Sequence, residues 1–409
     1  MFFKIRTAFV VFLALAALAF SPAAGAVSLA GHAHGEFFVD RVTDSPEPDG
    51  KVYEGYSFHS HLGLELSLLR GFSVTAELGL EGEPSGHHHH EEEEGEGEEE
   101  EEEEEESHGA PAFVVSHNLS VDRLALNWRY ASGIAAHTIS AGKIIPVVAL
   151  NPHVFPGIYG GRAVHDYEDE MKNKMGLAYG LALKAGGYGS HTFDVAAFAA
   201  DTTVLGFDHE SPRLRLRKRD GGLSNTGDLS SFALSLSGGD FFSLRDGFFA
   251  NLIEGMSYRF GFARQAKGSA DTDGKDETRF SVSLHNIRGI TENLSVRTVS
   301  EYMILNNYRR EEEVFDRRQS TTSVAFVWRD NWTLAGTHAF ISNTGEPDDS
   351  FTSFSLSRSF GAAKVGLGYL RQKVEGEKTA RAGLLFSYAG DFSIGSAMGG
   401  HEGHDHHHH

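Results

Sequence analysis

The sequence predicts an all-β fold: a transmembrane antiparallel β-barrel of about sixteen strands, with long loops on one rim and short turns on the other. Three observations lead there. From residue 33 onward, apolar and polar residues alternate with the two-residue period of a strand. Many alternating runs reach about ten residues, the length a tilted membrane-crossing strand requires. Their connections alternate between tight turns and long loops, an asymmetry that characterises outer-membrane barrels.

The N-terminus sets the compartment. Lys4 and Arg6 precede an apolar run from Ala8 to Phe20, and Ala24, Gly25 and Ala26 supply small residues for cleavage. Residues 1–26 therefore read as a secretory signal peptide, with the mature chain expected to begin at Val27. No later stretch approaches the ~18 apolar residues of a spanning helix. The absence of cysteine suits an exported chain that needs no disulfide. The barrel is expected over 27–390, followed by a histidine-rich tail over 391–409.

Strands are expected near 33–42, 53–68, 71–81, 117–130, 135–146, 174–186, 190–201, 229–238, 248–264, 277–288, 293–306, 318–329, 332–342, 350–359, 362–371 and 379–388. In the second, Phe58, Leu62, Leu64, Leu66 and Leu68 share one face, while His59, His61, Gly63, Glu65 and Ser67 share the other. The third repeats this, with Phe72, Val74, Ala76, Leu78 and Leu80 opposite Ser73, Thr75, Glu77 and Glu81. "SSFALSLS", "RFSVSLHN" and "TTSVAFVW" continue the pattern. Leu69-Arg70, "GGYG", "RDN" and "FGAA" are tight turns, whereas 82–116, 147–173 and 202–228 are long loops. An even strand count puts both termini on the short-turn, periplasmic side and the first long loop outside the cell.

That loop holds the chain's strongest compositional bias. Residues 91–106 contain fourteen glutamates, so a formal net charge of −21 leaves −7 for everything else. A block of like charges repels itself into an extended, solvated chain, and unpaired carboxylates are not buried. Nucleic acid is excluded as a partner, because binding it depends on neutralising phosphates. His87, His88, His89 and His90 precede the acids, Glu91 and Glu92 follow directly, and His108 closes the segment. Imidazoles suit Zn2+, Ni2+, Cu2+ and Co2+, and glutamates add oxygen ligands and negative potential. A tract serving solubility alone would need no histidine. A second cluster, His401, His404 and His406, His407, His408 and His409, ends the chain. A purification tag is the plain alternative, but the interleaved Glu402 and Asp405 and the short terminal run favour a native tail. Together, insert and tail hold eleven of 23 histidines. No cofactor is required by this reading; Zn2+, or one of the other three ions, is the ion bound or transported.

Three stretches resemble the bacterial outer-membrane porins. "RAGLLFSY" places Gly383, Phe386 and Tyr388 at the spacing of a last-strand signal read by the barrel assembly machinery. "PGIYGG", Pro156 to Gly161, is similar to the Pro-x-Phe-Gly-Gly turn of the porin constriction loop, and "SAGKIIP" before it to a Gly-Lys-x-x-Pro strand end. The chain departs from the pattern by running about twenty residues past Tyr388, and the acidic insert has no counterpart. The resemblance implies that 147–173 folds into the lumen, carrying Asp166, Glu168, Asp169 and Glu170 opposite a wall of arginines. Arg123, Arg129, Arg279, Arg297 and Arg381 are the candidates for that wall; ordinary solvated lumen positions are the bland alternative. It also implies homotrimers, and outer-membrane lipid and lipopolysaccharide as surroundings.

His59, His61 and Glu65 share a lumen face and form a candidate relay, though a merely solvated pair fits almost as well. His32 and His34 sit at the expected periplasmic start of the first strand, beside the end of the last, where the histidine tail could join them in a second metal site. Such a site would pass ions to a periplasmic metal-binding protein. "DTDGKDE" reads as a turn, since Gly274 comes too early for an EF-hand, and "RLRLRKR" as a basic patch. No Gly-x-Ser-x-Gly elbow, His-Glu-x-x-His pair or cysteine nucleophile is present, so no enzyme is expected, although spacing leaves open a Ser–His pair such as some barrel lipases use. The expected function is passive diffusion of small hydrophilic solutes, specialised for divalent metal with zinc first. Two alternatives stand: a porin for other solutes whose histidine loop only buffers metal, and a metal-binding surface barrel or adhesin with little flux.

Overall fold

A strand with one wet and one apolar face can satisfy its backbone in lipid only by closing into a barrel with its neighbours. The computed structural model of this chain does so. It describes residues 27–44, 54–68, 71–82, 117–161, 171–203, 205–206, 216–239, 255–270, 274–310 and 313–394. The strands are β1 (Ser28–Asp44), β2 (Glu54–Ser67), β3 (Phe72–Gly82), β4 (His117–Ser132), β5 (Ala135–Ile144), β6 (Lys174–Lys184), β7 (Ser190–Ala200) and β8 (Ser231–Gly239). They continue as β9 (Met256–Gln265), β10 (Glu277–Thr291), β11 (Leu294–Arg310), β12 (Glu313–Trp328), β13 (Trp332–Asn343), β14 (Asp349–Phe360), β15 (Ala363–Val374) and β16 (Glu377–Ile394). Each pairs antiparallel with its sequence neighbour, and β1 pairs with β16 from Leu29 opposite Ile394 to Asp44 opposite Ala380. The transmembrane antiparallel barrel of sixteen strands is thus the observed fold.

Several boundaries differ from the sequence reading. β16 runs to Ile394 rather than stopping near Tyr388, because β1 begins at Ser28 and supplies Leu29 to His32 as pairing partners for Asp391 to Ile394. The barrel therefore extends past residue 390, and His34 lies well inside β1 instead of at its start. β9 spans Met256–Gln265, and the first residues of the strand expected over 248–264 lie outside the described residues. On the rim of the long loops, 311–312, 344–348 and 375–376 are short. The loop asymmetry belongs to the first ten strands, not to the whole barrel.

The outer face is an apolar belt. Leu126, Phe193, Phe260, Phe280, Leu284, Phe326, Leu334, Phe354, Leu367, Leu384 and Phe386 are all exposed on it. So large an exposed apolar surface is stable only against hydrocarbon. Near the short-turn rim the belt becomes aromatic: Trp128 stacks on Tyr130 with ring centroids 6.2 Å apart, and Phe72 lies 6.4 Å from Trp128. His137 donates to or accepts from the Tyr179 hydroxyl at 2.9 Å. Arg329 lies 4.8 Å from the Trp328 ring and Arg358 lies 5.0 Å from that of Trp332. Amphipathic rings with cations beside them suit the headgroup level of a bilayer.

An arginine in place of Leu367, in the middle of β15 and 57% exposed, is expected to destabilise the barrel by about 2–4 kcal/mol. The midpoint of urea unfolding in phospholipid vesicles measures this. An unchanged midpoint would mean that this face does not meet hydrocarbon.

Candidate constriction of the lumen

Sixteen strands enclose a lumen too wide for side chains alone to fill. Here the chain between β5 and β6 enters it. The carbonyl of Val148 accepts from Ser281 Oγ at 2.6 Å, and that of Ala149 from Arg259 Nη1 at 2.8 Å. Leu150 N–H donates to Glu301 Oε1 at 2.8 Å, an oxygen that also accepts from Ser283 Oγ at 2.7 Å. Arg297 Nη2 then donates to the carbonyl of Val154 at 2.9 Å. Strands β9, β10 and β11 thereby bind loop backbone with charged and hydroxyl side chains, in a region where an unpaired peptide group would cost about 1–3 kcal/mol.

Apolar packing holds the same segment. Val148 and Ile144 pack with Met171, Phe198, Ala233 and Ala263. Val154 and Phe155 pack against Val299, Met303, Leu305 and Tyr308 of β11. Inward residues of the far wall are small, and Ala325, Ala335 and Ala339 are almost fully buried as a result. Gly157, at φ +97, lies where a β-carbon would press on Ser355 Oγ and Ala335. A β-carbon at Gly368 would collide with Ile158, and one at Gly383 with Tyr159 and Phe38. Tyr159 meets the Phe38 ring edge-on at 5.2 Å. The segment therefore crosses the barrel interior from β5 to β16 and β1.

With its back buried, the segment turns an exposed histidine toward the wall of β1 and β2. His153 sits in a short 3-10 turn, Pro152–Val154, whose start is capped by Asn151 Oδ1 accepting from His153 N–H at 2.8 Å. Its ring lies 5.7 Å from that of His34 and 6.3 Å from that of His61, centroid to centroid. His34 and His61 are directly opposed across the β1–β2 ladder, as are Glu36 and His59. His34 Nε2 is 3.4 Å from Glu36 Oε1, and His61 Nδ1 is 3.8 Å from Asp122 Oδ2. A register shift between Glu77 and Leu78 turns Asp122 inward, where Ser120 Oγ donates to it at 2.6 Å. Three imidazoles and two carboxylates thus face one stretch of the lumen. Among the described residues, no three His, Asp or Glu side chains already converge in ligand geometry.

The remaining site residues from the sequence fall in varied places. Glu65 pairs with Arg129 at 2.6 Å rather than joining His59 and His61, so the structure divides the proposed trio. Arg123 lies 3.7 Å from Glu77 and Arg381 3.3 Å from Asp40. Arg279 is buried against Glu277. Of the five wall arginines, Arg297 donates to the inward segment, as does Arg259, which sequence reasoning missed. His32 pairs with Asp391 at 2.8 Å across the β1–β16 seam. His87 to His90, Glu91, Glu92, His108, the acids Asp166, Glu168, Asp169 and Glu170, and the histidines of the tail lie outside the described residues. His153, Glu36, Asp122 and Glu301 were also missed. Only Glu36 left a signal, two residues after His34 and so on the same strand face.

Phe155→Ala is expected to cost about 3–5 kcal/mol of packing, and Arg297→Ala to leave the Val154 carbonyl without this donor. Combined, they should release the segment from the wall, seen in planar bilayers as larger and noisier single-channel currents. Currents identical to those of the parent would show that the segment does not limit the passage.

No family model matches the chain, and no curated protein matches it. Among solved structures it is similar to the outer membrane channel DcaP of Acinetobacter baumannii, at a TM-score of 0.46 and 12% identity, over 90% of this chain and 99% of that one. It is similar to OccAB4 of Acinetobacter baumannii at 0.44 and 8%, over 91% and 100%. It is similar to a mutant of Rh. blastica porin at 0.45 and 10%, over 89% and 100%.

Proposed function

We propose that this chain is an outer-membrane channel for passive diffusion of small hydrophilic solutes, specialised for divalent metal ions with zinc first. The observation that supports the reading is the segment from Val148 to Tyr159, which enters a wide barrel and docks across its interior. A storage barrel or an adhesin would gain nothing from a narrowed passage whose lining includes His34, His61, His153 and Asp122. The metal preference rests on the histidines and glutamates of the segment 87–108, which lies between β3 and β4 on the rim opposite both termini. We assign that rim to the outside of the cell and the termini to the periplasm. Carboxylate potential there would concentrate divalent cations within about one Debye length, ~8 Å in physiological salt. The lumen side chains then accept the ion, and its gradient or a periplasmic binder removes it. Capture must stay weak, because conduction requires release.

The protein reconstituted in vesicles loaded with a zinc-sensitive dye tests this. Deleting residues 87–108 should leave alkali-cation conductance in place, since the deletion spares every strand, and should lower zinc entry at low external zinc. Affinity should also fall as pH drops through the imidazole range near ~6.5, because each coordinating histidine must lose its proton. A barrel without step conductance would overturn the channel. Equal zinc entry with and without the segment would leave a channel for other solutes.

A further inference from the structure

The histidines facing the constriction come from three separate places in the chain. His34 lies on β1, His61 on β2, and His153 on the segment that crosses the lumen. We propose that His34, His61 and His153 form a transit site for a divalent transition-metal ion, with Glu36 and Asp122 orienting the two wall rings. This deepens the channel reading above and rests on it for the ion's route, although the site can be tested separately.

The spacing is close to what one ion needs. Zinc sits 2.0–2.1 Å from an imidazole nitrogen in tetrahedral geometry, which places two ligating ring centroids about 5.2 Å apart. The observed separations from His153 are 5.7 Å to His34 and 6.3 Å to His61. Closing them takes an inward adjustment of about 0.5–1 Å, within the reach of ring rotation or a small shift of the 3-10 turn. His153 is exposed on its turn, so its ring can move without disturbing the core beneath it.

The carboxylates add a second reason. Metal-bound histidines commonly give their other ring nitrogen to a carboxylate, which fixes the tautomer and raises basicity. Glu36 stands at Nε2 of His34 and Asp122 at Nδ1 of His61. The opposite nitrogens, Nδ1 of His34 and Nε2 of His61, would then carry the ion. Asp122 is itself held by Ser120 and is nearly buried, so its direction is set by the bulge in β4. Lys364 also acts on Glu36, so the site is not a simple acidic patch. Three nitrogens with water in the fourth position bind a borderline-soft cation such as Zn2+, and bind Ca2+ or Mg2+ poorly. The third ligand comes from a segment held by hydrogen bonds instead of covalent closure. Its small displacement would let the ion leave.

The full-length protein in planar bilayers provides the test. Zinc occupying the site should obstruct potassium current, so micromolar ZnCl2 is expected to reduce the current of each channel relative to its own zinc-free level. MgCl2 at the same concentration should not. His153→Gln should raise the half-blocking zinc concentration at least tenfold, His34→Gln should do the same, and His153→Cys, which restores a soft ligand, should bring it back toward the parent value. Deleting residues 87–108 should move it less than threefold, separating this site from the external segment. A half-blocking concentration indifferent to both glutamine variants overturns the site, whatever zinc entry into vesicles does. Failure of zinc entry with histidine-dependent block intact would instead sink the transport reading and leave the site standing.

Discussion

Hydrocarbon offers no hydrogen bonds, and that single constraint organises this molecule. Each peptide group crossing the membrane must find its partner within the protein, which leaves an exposed sheet edge untenable. Closure of β1 on β16 removes the last two edges, and the extra pairing from Leu29 to His32 extends that seam. The same rule applies inside the barrel in milder form. A segment of irregular backbone enters the lumen and is accepted because Ser281, Arg259, Glu301 and Arg297 meet its peptide groups one after another. Outer closure and inner docking are two answers to one demand.

The two walls of the lumen consequently have different chemistry. Strands β9 to β11 spend their charged side chains on loop backbone, and the small residues of β12 to β16 make room for it. The wall of β1, β2 and β4 meets the segment through apolar contacts such as Phe38 with Tyr159, and its histidines and carboxylates pair with one another. Arg123 and Arg129 of β4 illustrate the division: the first pairs with Glu77 on the adjacent β3, the second with Glu65 on β2. Charge that is locally compensated shapes the field of a pore less than charge left facing it.

The barrel was legible in the sequence because a strand's period ties each residue to a face. Leu62 and Leu64 against His61 and Glu65 already separated lipid from lumen. Strand ends were less legible where alternation weakens: Ala389 and Gly390 interrupt it, yet pairing with β1 carries β16 on to Ile394. The direction of the loop was legible only through resemblance, in the turn from Pro156 to Gly161. Its anchors were not, because Arg259 and Glu301 look like any charged lumen residues until their backbone partners are known. Asp122 was hidden for another reason. A register shift turns it inward, and simple alternation gives no warning of that. His153 has no face at all in a strand pattern, since it belongs to a 3-10 turn within a loop.

The docked segment also constrains the order in which the molecule can be assembled. Its partners lie far along the chain: Ala149 and Arg259 are separated by 110 residues, Val154 and Arg297 by 143, and Pro156 and Thr337 by 181. None of these contacts can exist while only the first eight strands have been made. The closing contact of Tyr159 with Phe38 joins the segment back to the very first strand, across the seam that β16 completes. Non-local contacts of this kind form late, after the chain that separates them has been ordered. A nascent barrel must therefore pass through a stage in which this segment is not yet docked, and its interior takes its final shape only when its circumference is nearly complete.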